Sequence, residues 1–456
     1  MAAKPKNDEH PAVAAVRASA AGKVKVAVSD IDGILRGKYL HRDKFLGAVN
    51  DGFGFCDVVF GWDAHDQCYD NAEITGWQHG FPDAKVRIDL DTARHVPWDN
   101  EVPFFLGEFV NPDDSPSPIC PRQTLRRVLG RAEKLGVVPM AGMEFEWFNF
   151  AETPQSWADK HGVGPSTLTP GMFGYSLLRM ADGRHFFNAL MDQMEAFRVP
   201  IEGLHTETGP GVYEAAISFS EALEAADRAI LFKTGTKELA KGYGIMASFM
   251  AKWNQNLPGC SGHIHQSLSD GATNLFHDAS APHAMSALFE SYLAGQIACL
   301  LDFAPMFCPT INSYKRLVDG FWAPVKPTWG VDNRTASFRV IAGSPKSTRL
   351  ETRCPGADVN PYLAMAAVIA AGLHGVEKGL KLTTAPISGN NQGGDDVPRA
   401  PRSLLRSTQT FRDSEIARDW LGDTFVDHFA ATRVWEFRQW QDAVTDWELK
   451  RYLEII

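Results

Sequence analysis

Residues 312–362, NSYKRLVDGFWAPVKPTWGVDNRTASFRVIAGSPKSTRLETRCPGADVNPY, carry eight cations and a single glutamate, Glu351. The cations are Lys315, Arg316, Lys326, Arg334, Arg339, Lys346, Arg349 and Arg353, interleaved with Trp322, Trp329, Phe338 and several Gly and Pro. That mixture is not a plain solvated helix face. The piece ASFRVI (336–341) alternates as a strand with one covered face does. Arg339 then sits among apolar neighbours, and a partly buried Arg needs anionic partners. Two readings are open: a site for a polyanion such as a nucleotide polyphosphate, or structural Arg–carboxylate pairs at a domain or subunit interface.

The whole chain has a net charge of −10, which argues against general nucleic-acid binding. The cationic stretch is therefore local and suited to a small anionic ligand. Length, 456 residues, allows roughly two to three domains. Seven scattered cysteines include no CxxC pair, so neither a zinc knuckle nor a disulfide framework is expected, and a reducing cytoplasm is. The N-terminus lacks a long apolar core, so no secretory signal is expected. The most apolar helix candidate, 362–376, is short of a membrane span and contains Gly and His, so no membrane contact is expected either.

Residues 1–22, rich in Ala and Lys, read as a disordered tail or frayed helix. KVKVAVSDIDGILRGKYL (23–40) reads as two strands about a turn, 52–70 as a strand then a polar loop, and 84–98 as another strand. The Pro-rich NPDDSPSPICP (111–121) is the main linker signal. The boundary falls there, giving a small β-rich domain over 23–115 and a larger one over 116–456. The second opens with a helix that starts at Pro121 and closes at Gly136, followed by a strand over 137–150. Strands and helices then mix without a βαβ rhythm, and no GxxxxGK[ST] loop occurs. The fold class expected is α+β.

Glu144 and Glu146 lie two apart in MEFEWF, hence on one face of a strand. Two carboxylates side by side repel unless a cation lies between them, unless the face is simply open to solvent. Glu207 and Glu214 flank a Gly/Pro turn that can fold one back beside the other. His263 and His265 share a strand face in SGHIHQSL. Oxygen-rich ligation with one imidazole suits Mg²⁺ or Mn²⁺. Carboxylate-held metals beside an arginine cluster point to phosphoryl transfer from a nucleotide. A paired-carboxylate glycosidase would leave the arginines unexplained. A non-catalytic nucleotide sensor would not need two sets of glutamates.

In this order, the ExE strand, HxE…PGxYE, SGHIHQSL, NSYKRL, NRTASFRV, SPKSTRLETR and GADVNPYLAMAAVIAAGLHG resemble the glutamine synthetase family from about Val24 to the end. The resemblance implies an N-terminal β-grasp domain, and a catalytic domain built on a curved antiparallel sheet with helices. It also implies a ring-type homo-oligomer, a dodecamer, with active sites between subunits. It implies that Glu146, Glu207 and Glu214 hold one metal, and Glu144, His263 and Glu351 the other. Arg316, Arg353 and Gly259 would bind glutamate, and Arg334 would sit at the transferring phosphate. Ser267, Arg339, Lys346 and Arg349 fall on the nucleotide side. The cofactors implied are ATP and Mg²⁺ (or Mn²⁺). The departures lie at the ammonia end. Where the family has a flap glutamate (GxEAP), this chain has Gly320-Phe321-Trp322-Ala323-Pro324, and Pro258 replaces the asparagine of the glycine loop. The DGSS-like latch corresponds loosely to Asp63-Ala64-His65-Asp66. The expectation is a γ-glutamyl ligase joining L-glutamate to an organic amine, with Trp322 and Asp63 at the acceptor corner. Use of ammonia by an ordinary glutamine synthetase is the alternative.

Overall fold

A computed structural model describes residues 9–162, 164–318, 322–390, 394 and 397–456. The first sheet holds β1 (Lys23–Ser29), β2 (Leu35–His41), β3 (Phe53–Cys56), β4 (Asp83–Val96) and β5 (Val102–Val110), in the order β2-β1-β5-β4-β3. β1 and β5 run parallel at its centre, and the other neighbours are antiparallel. Every residue of β5 is buried, because both of its faces are covered. Phe105 and Phe109 pack into the small sheet's own core, while Phe104 and Leu106 pack into the main core of the chain.

The second sheet is built from β6 (Val138–Phe150), β7 (Ile201–Thr206), β8 (Val212–Ile217), β9 (Ser220–Glu221), β10 (Met246–Ser248), β11 (Gly262–Ser269), β12 (Trp329–Val331), β13 (Phe338–Ile341) and β14 (Arg349–Thr352). Its main path is β12-β13-β14-β11-β6-β8-β7, with β9 and β10 also pairing to β6. The sheet curls into a half-barrel, as expected, and it is antiparallel except for the parallel edge pair β12–β13. Alternation on β6 sends Phe145 and Trp147 toward Phe232 of the helix Ala222–Gly242, and the intervening Glu144 and Glu146 to the other face.

Behind the sheet lies the helix Pro361–Lys378, apolar nearly all round and buried along most of its length. Against it packs Ala287–Cys299, so closely that a Cβ on Gly375 would stand 2.1 Å from the Ser291 carbonyl oxygen. Neither Gly375 nor Gly295, which faces it, has room for a side chain. Among the described residues no helix is long and apolar enough to cross a membrane.

The tail expectation needs correction. Pro11–Ala18 is a helix, with Pro at its first position and the His10 ring accepting from the Ala12 N–H. Its Val13 and Val16 are buried, and Val16 joins the small sheet's core, which is what turns an Ala-rich segment into packed structure. Residues 1–8 lie outside the described residues.

Buried charges tie the two sheets together. Arg122, at the start of the helix Pro121–Lys134, pairs with Asp227 at 2.9 and 2.8 Å. It also reaches Glu108 of β5 at 3.1 Å and Asp89 of β4 at 2.8 Å. Tyr362 donates to Asp227 at 2.6 Å. One guanidinium thus joins strands of the first sheet to helices of the second.

Candidate active site

β6 is an interior strand, so its glutamates do not lie on a solvent-facing edge. The register carries chemistry across neighbouring strands. Glu144 stands opposite His263 of β11, and Glu146 opposite Glu214 of β8. His205 of β7 pairs with Glu214. Glu351 of β14 is flanked by His265 on one side and Arg339 on the other. Residues directly opposite share a face, and all of this row except His205 lines one cavity of about 630 Å³.

Two acidic groupings result, with ligand atoms within 4.8 Å of one another: Glu144–Glu214–His263 and His205–Glu207–Glu214. Glu214 belongs to both, where the family pattern implies two separate triads. Burial and the charges of Glu144 and Glu146 push the Glu214 carboxyl well above the usual carboxylate range. Burial also raises Glu146, which accepts a hydrogen bond from the Ser261 N–H at 2.5 Å. Glu144 is different: burial works to raise it, but His263 and His265 hold it below the usual carboxylate range. Its Oε2 lies 3.0 Å from His265 Nε2, and Arg349 donates to the other nitrogen of that ring at 3.1 Å.

Glu351 is buried, and Arg353 and His263 outweigh that burial to hold its carboxyl down to about 2. Arg353 and Arg339 both donate to it, the latter at 2.9 Å. The structural-pair reading of these two arginines therefore coexists with their place in the cavity. Arg316 donates to Ser261 Oγ at 3.1 Å and to the Cys354 carbonyl. Arg334 is exposed and makes no ion pair among the described residues.

Both ring nitrogens of His263 are buried with no hydrogen-bond partner among the described residues, and Nδ1 lies 3.5 Å from Glu351 and 4.0 Å from Glu144. A buried imidazole left unsatisfied beside crowded carboxylates fits the donor set of a divalent Mg²⁺ or Mn²⁺ ion.

The cavity is lined by all six expected metal-site residues, by Arg316, Arg334, Arg339 and Arg353, and by Gly259 and Trp322. Ser267, Lys346 and Arg349 line an adjoining pocket of about 250 Å³ that shares Glu144, His265 and Arg349 with the first. Asp63 lines neither. Its carboxylate is held in its own loop and by Trp435. Gly320 and Phe321 of the flap lie outside the described residues.

His205 and Tyr175 were not among the expected site residues. Their rings stack at 4.3 Å, and His205 Nε2 lies 3.1 Å from Glu214. The two-residue spacing of His205 and Glu207 in HTE carried the signal for the first. Tyr175 has a backbone φ of 56° in an irregular loop, and no period marks it.

The catalytic-domain model of glutamine synthetase matches residues 118–452. The chain belongs to the glutamine synthetase family. It is 54% identical to a type-1 glutamine synthetase 2 of Dictyostelium discoideum, over 95% of this chain and 84% of that one. It is 37% identical to a glutamate–isopropylamine ligase of a Pseudomonas species, over 95% of each. Among solved structures, a GmaS/ADP complex matches with a TM-score of 0.84, covering 97% of this chain and 99% of that one at 24% identity, a likeness of fold. Glutamine synthetase family ligases use ATP with Mg²⁺ or Mn²⁺, and the acidic and histidine groups above suit that requirement.

Proposed function

We propose that this family member is a glutamate–amine ligase acting on an organic amine. A γ-carboxylate oxygen of L-glutamate attacks the terminal phosphorus of ATP, and ADP leaves. The amine nitrogen then attacks the γ-carbonyl carbon, the C–O bond to phosphate breaks, and the nitrogen gives up a proton. Arg316, Arg353 and Gly259 hold the glutamate, and Arg334 faces the phosphoryl group in transit. Ser267, Arg339, Lys346 and Arg349 serve the nucleotide. Glu146, Glu207 and Glu214 would hold one metal ion and Glu144, His263 and Glu351 a second; such ions neutralise phosphate oxygens and fix their direction.

Trp322 carries the amine assignment. It lines the cavity, is 66% exposed, and stands where the family's flap carries a carboxylate. An ammonium ion is small and strongly hydrated, and binding it calls for close anions or acceptors. An indole face instead offers apolar area and attracts a cation by roughly 0.5–2 kcal/mol. Each methylene covered adds about 0.8 kcal/mol. A few carbons then give a preference of roughly ten- to several-hundred-fold over ammonia. The 37% identical isopropylamine ligase supports the same direction.

Asp63 lies outside its own chain's cavity, and we assign it to the acceptor corner of a neighbouring subunit's site in a homo-oligomer, a dodecamer by resemblance. The second reading, a glutamine synthetase using ammonia, is favoured by the 54% identical relative. Product mass after incubation with ATP, glutamate, Mg²⁺ and a panel of amines including ammonia separates the two. Ammonia as the best acceptor would establish the second.

A further inference from the structure

The loop Trp62–Cys68 is closed by a bridge between its end residues and by the Asp63 N–H donating to the Gln67 carbonyl at 3.0 Å. Asp63 Oδ1 accepts from the backbone N–H groups of His65 and Gln67, at 2.8 and 3.0 Å. Those bonds fix the shape of the loop but not its direction relative to the rest of the molecule. Arg36 of β2 anchors the loop at Asp66, 2.9 Å away, and at the Trp62 ring, and the Asp63 side is held by the helix Asp423–Asp442, more than 350 residues later in the chain. There the nearly buried Trp435 donates its indole N–H to Asp63 Oδ2 at 3.0 Å. Tyr69 packs edge-on against the same indole at 5.9 Å, and Asn71 donates to the Ala431 carbonyl at 2.8 Å. The helix itself is pinned by Arg433, which pairs with Asp32 at 2.5 Å and donates to the Pro309 carbonyl at 2.7 Å.

We infer that Trp435 is a positioning residue for the acceptor amine: its indole N–H aims Asp63 Oδ2, leaving one lone-pair direction of that oxygen to meet the incoming nitrogen. This rests on the assignment of Asp63 to the acceptor corner. A misplacement on the order of 1 Å in such a group costs about a hundredfold in rate. Loss of one of the loop's several anchors costs less, and it falls on the acceptor alone, because ATP and glutamate meet other residues.

The test uses the full-length chain with saturating ATP and glutamate, and isopropylamine or ammonium chloride as acceptor. Trp435→Phe keeps the ring and removes the N–H. It is expected to raise KM for the acceptor roughly five- to tenfold. The KM values for ATP and glutamate should stay within about twofold of native. Asp63→Asn raises acceptor KM by itself, and adding Trp435→Phe to it has little further effect, because coupled residues are not additive. Asn71→Ala loosens the same loop from another anchor and gives the same acceptor-only change should Trp435→Phe fail to fold. The inference is overturned if Asp63→Asn raises acceptor KM while Trp435→Phe and Asn71→Ala do not, or if all three substrates' KM values move together. If Asp63→Asn leaves acceptor KM unchanged, the assignment of Asp63 falls, and the role of Trp435 with it.

Discussion

Glu146 and Glu214 stand directly opposite each other on the antiparallel pair β6–β8, two acidic side chains at one cross-strand position. Such a pair destabilises a sheet unless a cation joins it. Mg²⁺ or Mn²⁺ added to the chelator-treated chain is therefore expected to raise the thermal midpoint, by about 2.7 kcal/mol of stability at a hundred times Kd. Glu214→Gln removes the shared ligand of both acidic groupings and should shrink that shift, as followed by differential scanning fluorimetry.

Glu144 is held ionised between His263 and His265. Glu144→Gln keeps its size and removes its charge. ATP consumption with glutamate and an amine should fall at least roughly a hundredfold, on the scale of losing one electrostatic contact to the transition state. Circular dichroism should stay native. Retained turnover would remove Glu144 from the metal site.

Arg122 shows what holds the two sheets together. Glu108 and Asp89 are also held by Arg126, but Asp227 has no other cationic partner among the described residues. Removing Arg122 leaves that buried carboxylate without its cation, so Arg122→Met should cost roughly 3–5 kcal/mol in urea unfolding.

Burial drops the His428 imidazole from its ordinary 6.5 to about 4. The unfolded chain then takes up the proton first, so stability is complete above about pH 6.5 and falls as pH drops toward 4. The loss at pH 5 is about 2 kcal/mol relative to neutral pH. His428→Leu should flatten that part of the pH profile of urea unfolding.

Most of the site was legible because its residues come in short, period-two or turn-linked motifs, such as Glu144 with Glu146 or His263 with His265. Register was not legible. Only the folded sheet sets Glu214 beside both Glu144 and His205. β5 went unread because PFFLGEF is apolar on both faces and shows no alternation, a consequence of lying at the seam between two cores. The first helix stayed open between disorder and a frayed helix for the opposite reason: Val13 and Val16 are too few to mark a face until the fold buries them. Arg339 and Arg353 left two readings open in the sequence, and the fold supports both, since each pairs with Glu351 at the wall of the cavity.

Assembly is tested by mixing. Asp63→Ala and Glu144→Ala chains, each inactive alone, should regain part of the native activity when reassembled together, and light scattering should show a large ring-type particle. A fully active monomer would contradict a site shared between subunits.

The proposed preference for amines that carry carbon rests on Trp322. Its most direct test is kcat/KM for ammonia against a series of alkyl-, aryl- and diamines, in the native chain and in Trp322→Glu. The native enzyme is expected to prefer a substituted amine by roughly tenfold or more, and Trp322→Glu to shift the preference toward ammonia. Ammonia as the best acceptor of the native enzyme would contradict it.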